Sequence, residues 1–165
     1  MNAEQWIEPG PGQESVWDYP RPPRLERTDA RITVQFAGAV IADTARAYRV
    51  LETSQPPAYY LPPEDVAVEH LVATTTRTFC EWKGLASYVT VEVGGRRAVD
   101  GGWWYPEPTP AFGAIAGYYA FYAQRMDRCT VDGEVVAPND GSFYGGWITS
   151  RVVGPFKGGA GTAGW

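Results

Sequence analysis

Thr78-Phe79-Cys80-Glu81-Trp82-Lys83-Gly84-Leu85-Ala86-Ser87-Tyr88 gathers a cysteine, a tryptophan, a lysine and a tyrosine into one short run. Its end opens a longer alternation. From Leu85 to Val93, Val89, Val91 and Val93 share one face while Ala86, Tyr88 and Thr90 share the other. That period of two is the mark of a strand. Gly94-Gly95 then signals a two-residue hairpin turn, so Arg97 to Trp104 is expected to return as the partner strand. On the other side, the Thr-rich Leu71 to Thr78 reads as extended. A thiol, an indole and an amine this close together are rare in a purely structural segment, so the stretch is also a candidate site.

Outward from this centre the same pattern recurs. Arg31 to Phe36 places Ile32, Val34 and Phe36 on one face, Gly38 supplies a turn, and Val40 to Asp43 reads as the returning strand. Tyr48 and Val50, followed by Gln55-Pro56-Pro57, favour a short strand within Ala47 to Glu52. Ala58 to Leu61 is another short strand, and Pro63-Glu64-Asp65-Val66 one helical turn with acidic residues at its positive end. Ala111 to Gly117 is small and apolar. Tyr118 to Gln124 is aromatic on both faces and is expected to be a central strand, and Asp127 to Val136 forms a last hairpin around Asp132-Gly133.

Composition supports this reading. The chain of 165 residues has 7 Trp, 10 Tyr and 6 Phe beside 19 Gly and 14 Pro, a profile of short strands joined by turns rather than of a helical bundle. The expected fold is all-β, mainly antiparallel, with two sheets and short helical turns. Residues 1–29 carry Trp6 and Trp17 as apolar anchors among prolines and charges and read as an irregular arm. Residues 30–137 form the domain, and 138–165 a Gly-rich extension whose Trp147, Phe156 and Trp165 call for packing on it.

Several functions are disfavoured. A net charge of −5 without a Lys/Arg cluster argues against nucleic-acid binding. No apolar run reaches the length needed to span a bilayer, and the acidic, Pro/Gly-containing N-terminus is unlike a signal peptide. Cys80 and Cys129 are therefore expected as reduced thiols in a cytoplasm. Two cysteines and His70 make too few soft ligands for a cysteine-built zinc site, and neither a metal nor a cofactor is expected. Gly159-Ala160-Gly161-Thr162-Ala163-Gly164 matches a dinucleotide fingerprint in form only, since that motif needs a strand before it and a helix after it.

The candidate site is an aromatic-walled pocket. Trp82, Lys83 and Tyr88 supply one side, and Gly101-Gly102-Trp103-Trp104-Tyr105 the opposing wall. Such rings offer stacking or a cation–π contact of about 0.5–2 kcal/mol; the plain alternative is that they fill a small β core. Cys80 as a nucleophile, activated by Lys83 or His70, would need an electropositive, accessible setting. Glu81 works against that, and a free cysteine commonly packs as a small hydrophobe. Asp43, Glu52, Asp65 and Asp100 include no pair that spacing alone brings together.

The pieces Val40-Ile41-Ala42-Asp43-Thr44, Arg49-Val50-Leu51-Glu52, Pro57 through Val66, Thr78 through Gly84 and Trp104-Tyr105-Pro106 occur in this order, followed by Ile115-Ala116-Gly117 and Ala120-Phe121-Tyr122. Over about residues 27–137 the chain resembles the domain of unknown function 427 family. The tail from Gly145 resembles an extension of some bacterial members. The family pattern has proline after the cysteine where this chain has Glu81. The resemblance implies the β-tent fold, shared with the ligand-binding domain of cereblon and with methionine sulfoxide reductase B, whose common four-cysteine zinc site this chain cannot build. It also implies a pocket between the sheets lined by Trp82, Lys83 and Trp104. The family sometimes carries a nucleotidyltransferase label, but the paired aspartates and Gly-Ser loop of such enzymes have no counterpart here. The leading expectation is a small-molecule binding module, with Tyr60, Cys80, Trp82, Lys83, Tyr88 and Trp104 at the ligand. The alternatives are an enzyme using Cys80 or Lys83 with Tyr60 or Tyr88 as proton donor, and an interaction protein docking through its aromatic tail. A homodimer is compatible with either.

Overall fold

The computed structural model describes residues 6–165; the first five residues of the N-terminal arm lie outside them. Fifteen strands follow in chain order among the described residues. They are β1 (Glu14–Ser15), β2 (Arg24–Arg27), β3 (Ile32–Phe36), β4 (Ala39–Thr44), β5 (Tyr48–Leu51), β6 (Ala58–Tyr60), β7 (Leu71–Cys80) and β8 (Gly84–Val93). After them come β9 (Arg96–Trp104), β10 (Tyr119–Phe121), β11 (Arg128–Val131), β12 (Glu134–Val135), β13 (Ala137–Pro138), β14 (Trp147–Ile148) and β15 (Val152–Val153). The helical content is short 3-10 turns, one of them over Pro63–Asp65.

The protein is all-β and mainly antiparallel. One four-stranded sheet has the order β10-β9-β8-β7, another the order β12-β11-β3-β4, and a three-stranded sheet the order β2-β5-β6. This last sheet adds to the two expected, because Arg24–Arg27 is a true strand rather than part of an irregular arm. Its charged residues hid the period: Arg24 and Glu26 face outward while Leu25 packs on a core. Two small pairings complete the set, β13 with β14 antiparallel and β1 with β15 parallel.

The β7–β10 sheet sits between two apolar clusters. Phe121 and Val91 enter one cluster together with Ile32, Val34 and Ile41. Ala120, Tyr122, Tyr88 and Trp103 enter the other with Tyr60 and Tyr105. Alternate residues of β10 thus serve opposite cores, which is why Tyr118 to Gln124 reads as aromatic on both faces. The expected central placement is corrected, since β10 is the last strand of its sheet. Its outer edge is met by an isolated bridge from Leu61 to Tyr119, with hydrogen bonds of 2.8 and 2.9 Å.

Trp147 is 1% exposed in the first cluster, and Val152 packs with Val16, Tyr19 and Leu51 in a third. Trp17 stacks on Trp6 and meets Trp165, each at 5.5 Å between centroids, so the two chain ends share one aromatic layer. Arg49 joins the N-terminal arm to the sheet, reaching Glu14 at 2.7 Å and Glu26 at 2.6 Å.

These ion pairs set a pH dependence. Burial works against the Glu14 carboxylate, but hydrogen bonding and charge from Arg49 outweigh it and lower its pKa. Hydrogen bonds from Arg31, Arg46 and Arg96 lower those of Asp43, Asp65 and Asp127, and Ser150 does so for Glu134. In each case the unfolded chain takes up protons first as pH falls. The contribution is therefore present above the ordinary carboxylate range and is lost as pH drops through the depressed folded values. The calorimetric melting temperature is expected to decline steadily below about pH 4.5. A midpoint that held level to about pH 3 would contradict this.

Candidate functional site

Thr78 to Tyr88 is a hairpin. Thr78–Cys80 end β7, Glu81, Trp82 and Lys83 form the turn, and Gly84 begins β8 opposite Cys80. Gly84 has φ +102°, a conformation that any side chain would strain, and it lets a tight loop close the ladder. Thr109 pins this turn from outside: its hydroxyl donates to the Trp82 carbonyl at 2.6 Å, and its N–H to the Lys83 carbonyl at 3.0 Å. The fixed turn carries Lys83 inward, where only 9% of the residue stays exposed.

Inward lies a cavity of about 420 Å³. Tyr60, Cys80, Trp82, Lys83 and Tyr88 all line it, joined by Glu52, Trp103, Tyr105 and Tyr122. The structure thus brings together five of the six residues singled out from sequence. Trp104 is not among them. Tyr88 pairs with Trp103 across β8 and β9 while Trp104 pairs with Ser87, so Trp103 shares the face of Tyr88 and Trp104 points away. The Trp104 indole lies 5.7 Å from Tyr119, and its buried N–H has no partner among the described residues.

The walls form a connected aromatic set. Trp103 and Tyr122 have centroids 4.6 Å apart, Tyr60 stands edge-on to Trp103 at 6.2 Å, and Tyr105 lies 6.2 Å from Tyr60. The Trp103 indole N–H donates to the Tyr60 hydroxyl at 3.1 Å. Tyr88 and Thr78 share a hydrogen bond of 3.0 Å. Burial pushes the phenols of Tyr60, Tyr105 and Tyr122 upward, so they stay neutral donors at ordinary pH.

Lys83 is the buried charge of this lining, which also includes Glu52, Glu81 and Lys157. Burial opposes its ammonium, yet the groups facing it, Glu52 among them, hold its pKa above the ordinary lysine value. Its Nζ lies 5.8 Å from the centroid of the Tyr105 ring. Among the described residues no carboxylate comes within ion-pair distance of it; Glu52 is engaged instead by Arg21 at 3.3 Å and Gln55 at 2.9 Å.

The other candidates go elsewhere. His70 ends a 3-10 turn outside the cavity lining. Asp43 pairs with Arg31, Asp65 with Arg46, and Asp100 accepts from Thr74 and Thr76. Cys129 is buried, with its thiol pushed up to about 12. Among the described residues no group of three His, Cys, Asp or Glu is placed to hold a metal ion. No helix there is long and apolar enough to cross a membrane.

Fold and site together define an all-β protein whose sheets and C-terminal extension enclose an aromatic cavity with a lysine at its wall. Residues 24–132 match the family described as a domain of unknown function (DUF427), and the chain belongs to that family. No curated protein matched the chain. The family stretch supplies Tyr60, Cys80, Lys83, Trp103 and Tyr122, whereas Phe143 to Gly146 and Lys157 reach the cavity from beyond it.

Proposed function

We propose that the cavity binds a small organic anion with a flat aromatic body, the rings lying among Trp103, Tyr105 and Tyr122 and the acidic group meeting Lys83. The observation that carries this reading is the buried Lys83 ammonium, which has aromatic rings and hydroxyls around it and no carboxylate partner among the described residues. A cavity of about 420 Å³ is in the range of small-molecule sites, roughly 300–1,000 Å³. Its mix of apolar walls with a few placed polar groups is typical of them as well. The Glu52 carboxylate on the same cavity wall works for the Lys83 ammonium against its burial. That favours an anchoring charge over a nucleophile for Schiff-base chemistry.

The test uses naphthalenesulfonate as the anionic probe and naphthalenemethanol as its neutral counterpart, both titrated calorimetrically. Lys83→Met keeps most of the stem and removes the charge. A hydrogen bond to a charged group contributes about 1.5–3 kcal/mol, so the sulfonate should lose roughly tenfold to a hundredfold in affinity. The alcohol should change little. The ligand-free variant should melt somewhat lower than the wild type at neutral pH, since the groups facing Lys83 hold its pKa above the ordinary lysine value and its ammonium therefore adds stability below that value. Equal sulfonate affinity in both proteins would refute the reading.

A further inference from the structure

The part of the cavity wall that closes over Trp103 comes from the segment between β13 and β14. Gly145 there leaves no room for a side chain, because a Cβ would overlap the Trp103 indole. At Gly146 a Cβ would overlap the Pro56 carbonyl oxygen. Next to them the Tyr122 hydroxyl donates to the Phe143 carbonyl at 3.1 Å. Trp103, Pro56 and Tyr122 all line the cavity, so the segment is fastened to the walls themselves. No ladder pairing holds residues 140–146. Phe143 is 56% exposed, and the Lys157 ammonium lies 5.4 Å from the Tyr144 ring.

We propose that Phe143–Gly146 is the specificity determinant of this cavity, a strap whose close seat on Trp103 limits the ligand to aromatic acids of up to two fused rings. The proposal rests on the reading of the cavity as an aromatic-anion site. The sheets leave Trp103, Tyr105 and Tyr122 facing a common space, and the strap sets how far that space extends. Glycine at 145 and 146 lets the strap backbone itself be the wall, which no larger residue allows. The strap lies outside residues 24–132, so the site has two parts: an anchor within the family stretch and a size limit appended to it.

Two variants loosen the strap. Gly145→Ala forces it off the indole, and Tyr122→Phe keeps the ring while removing the bond to Phe143. In each, the affinity for pyrenesulfonate relative to naphthalenesulfonate should rise about tenfold over wild type. An independent readout is alkylation of Cys80, which lines the same cavity, by iodoacetamide and by the bulky pyrene maleimide. The maleimide-to-iodoacetamide rate ratio at Cys80, followed by peptide mass spectrometry, should rise by a similar factor. Buried Cys129 should stay unmodified and so certify a folded protein. Unchanged ratios in a folded variant overturn the strap proposal. If wild type binds neither sulfonate, the anion reading falls and the Cys80 ratio alone decides the strap. Should Gly145→Ala fail to fold, Tyr122→Phe carries both measurements.

Discussion

Trp147→Ala should destabilise the protein by about 3–5 kcal/mol, the range for removing a large aromatic from a close-packed core. Trp147 is 1% exposed and stacks on Tyr59 with centroids 5.2 Å apart. Its indole N–H donates to the Phe121 carbonyl at 2.9 Å, so truncation also orphans an acceptor on the last strand of its sheet. Against a total of about 5–15 kcal/mol, that is a large share for a residue outside the family stretch. Urea unfolding followed by circular dichroism measures it. A loss below about 1 kcal/mol would mean that the extension is an accessory and not part of the core.

Trp103→Ala should affect both stability and binding. Trp103 is 6% exposed, and its loss should cost about 3–5 kcal/mol. The buried Tyr60 hydroxyl would lose its donor, and the strap its seat. Naphthalenesulfonate affinity should fall at least about tenfold, measured in buffer where the variant remains folded. Trp104→Ala is the comparison. Its indole points away from the cavity and its N–H lacks a partner among the described residues, so probe affinity should stay within about twofold of wild type. Equal losses from the two substitutions would reject the assignment of Trp103 to the site.

That pair also shows how far the sequence could be read. The Gly94-Gly95 turn sets Val93 opposite Arg96, and counting outward in steps of two puts Trp103, not Trp104, on the face of Tyr88. The register shifts between Val89 and Val91, yet it takes up an even number of extra residues on β9 and so preserves the face. The signal for Trp103 is therefore present in the spacing, whereas the family resemblance rests on the neighbouring Trp104-Tyr105-Pro106 and implies Trp104. Strands with clean alternation, such as Ile32–Phe36, were legible because one face is buried. Arg24–Arg27 was not, because its outward residues are held by charge rather than by apolar period. Nor was the strap. Its contact with Trp103 depends on where the chain returns after Pro138, and no local pattern encodes that.

The pairing of Glu14–Ser15 with Val152–Val153 bears on the order in which a ribosome delivers this protein. The Trp17 indole donates at 2.8 Å to the Pro155 carbonyl, 138 positions further along the chain. Val16 and Tyr19 likewise wait for Val152 to close their small cluster. Residues 14–19 thus find these partners only once residues 152–155 have been made, while hairpins such as β3–β4 and β7–β8 are complete within a few dozen residues. During synthesis Trp17 and Tyr19 therefore remain without these neighbours until residues 152–155 have been made.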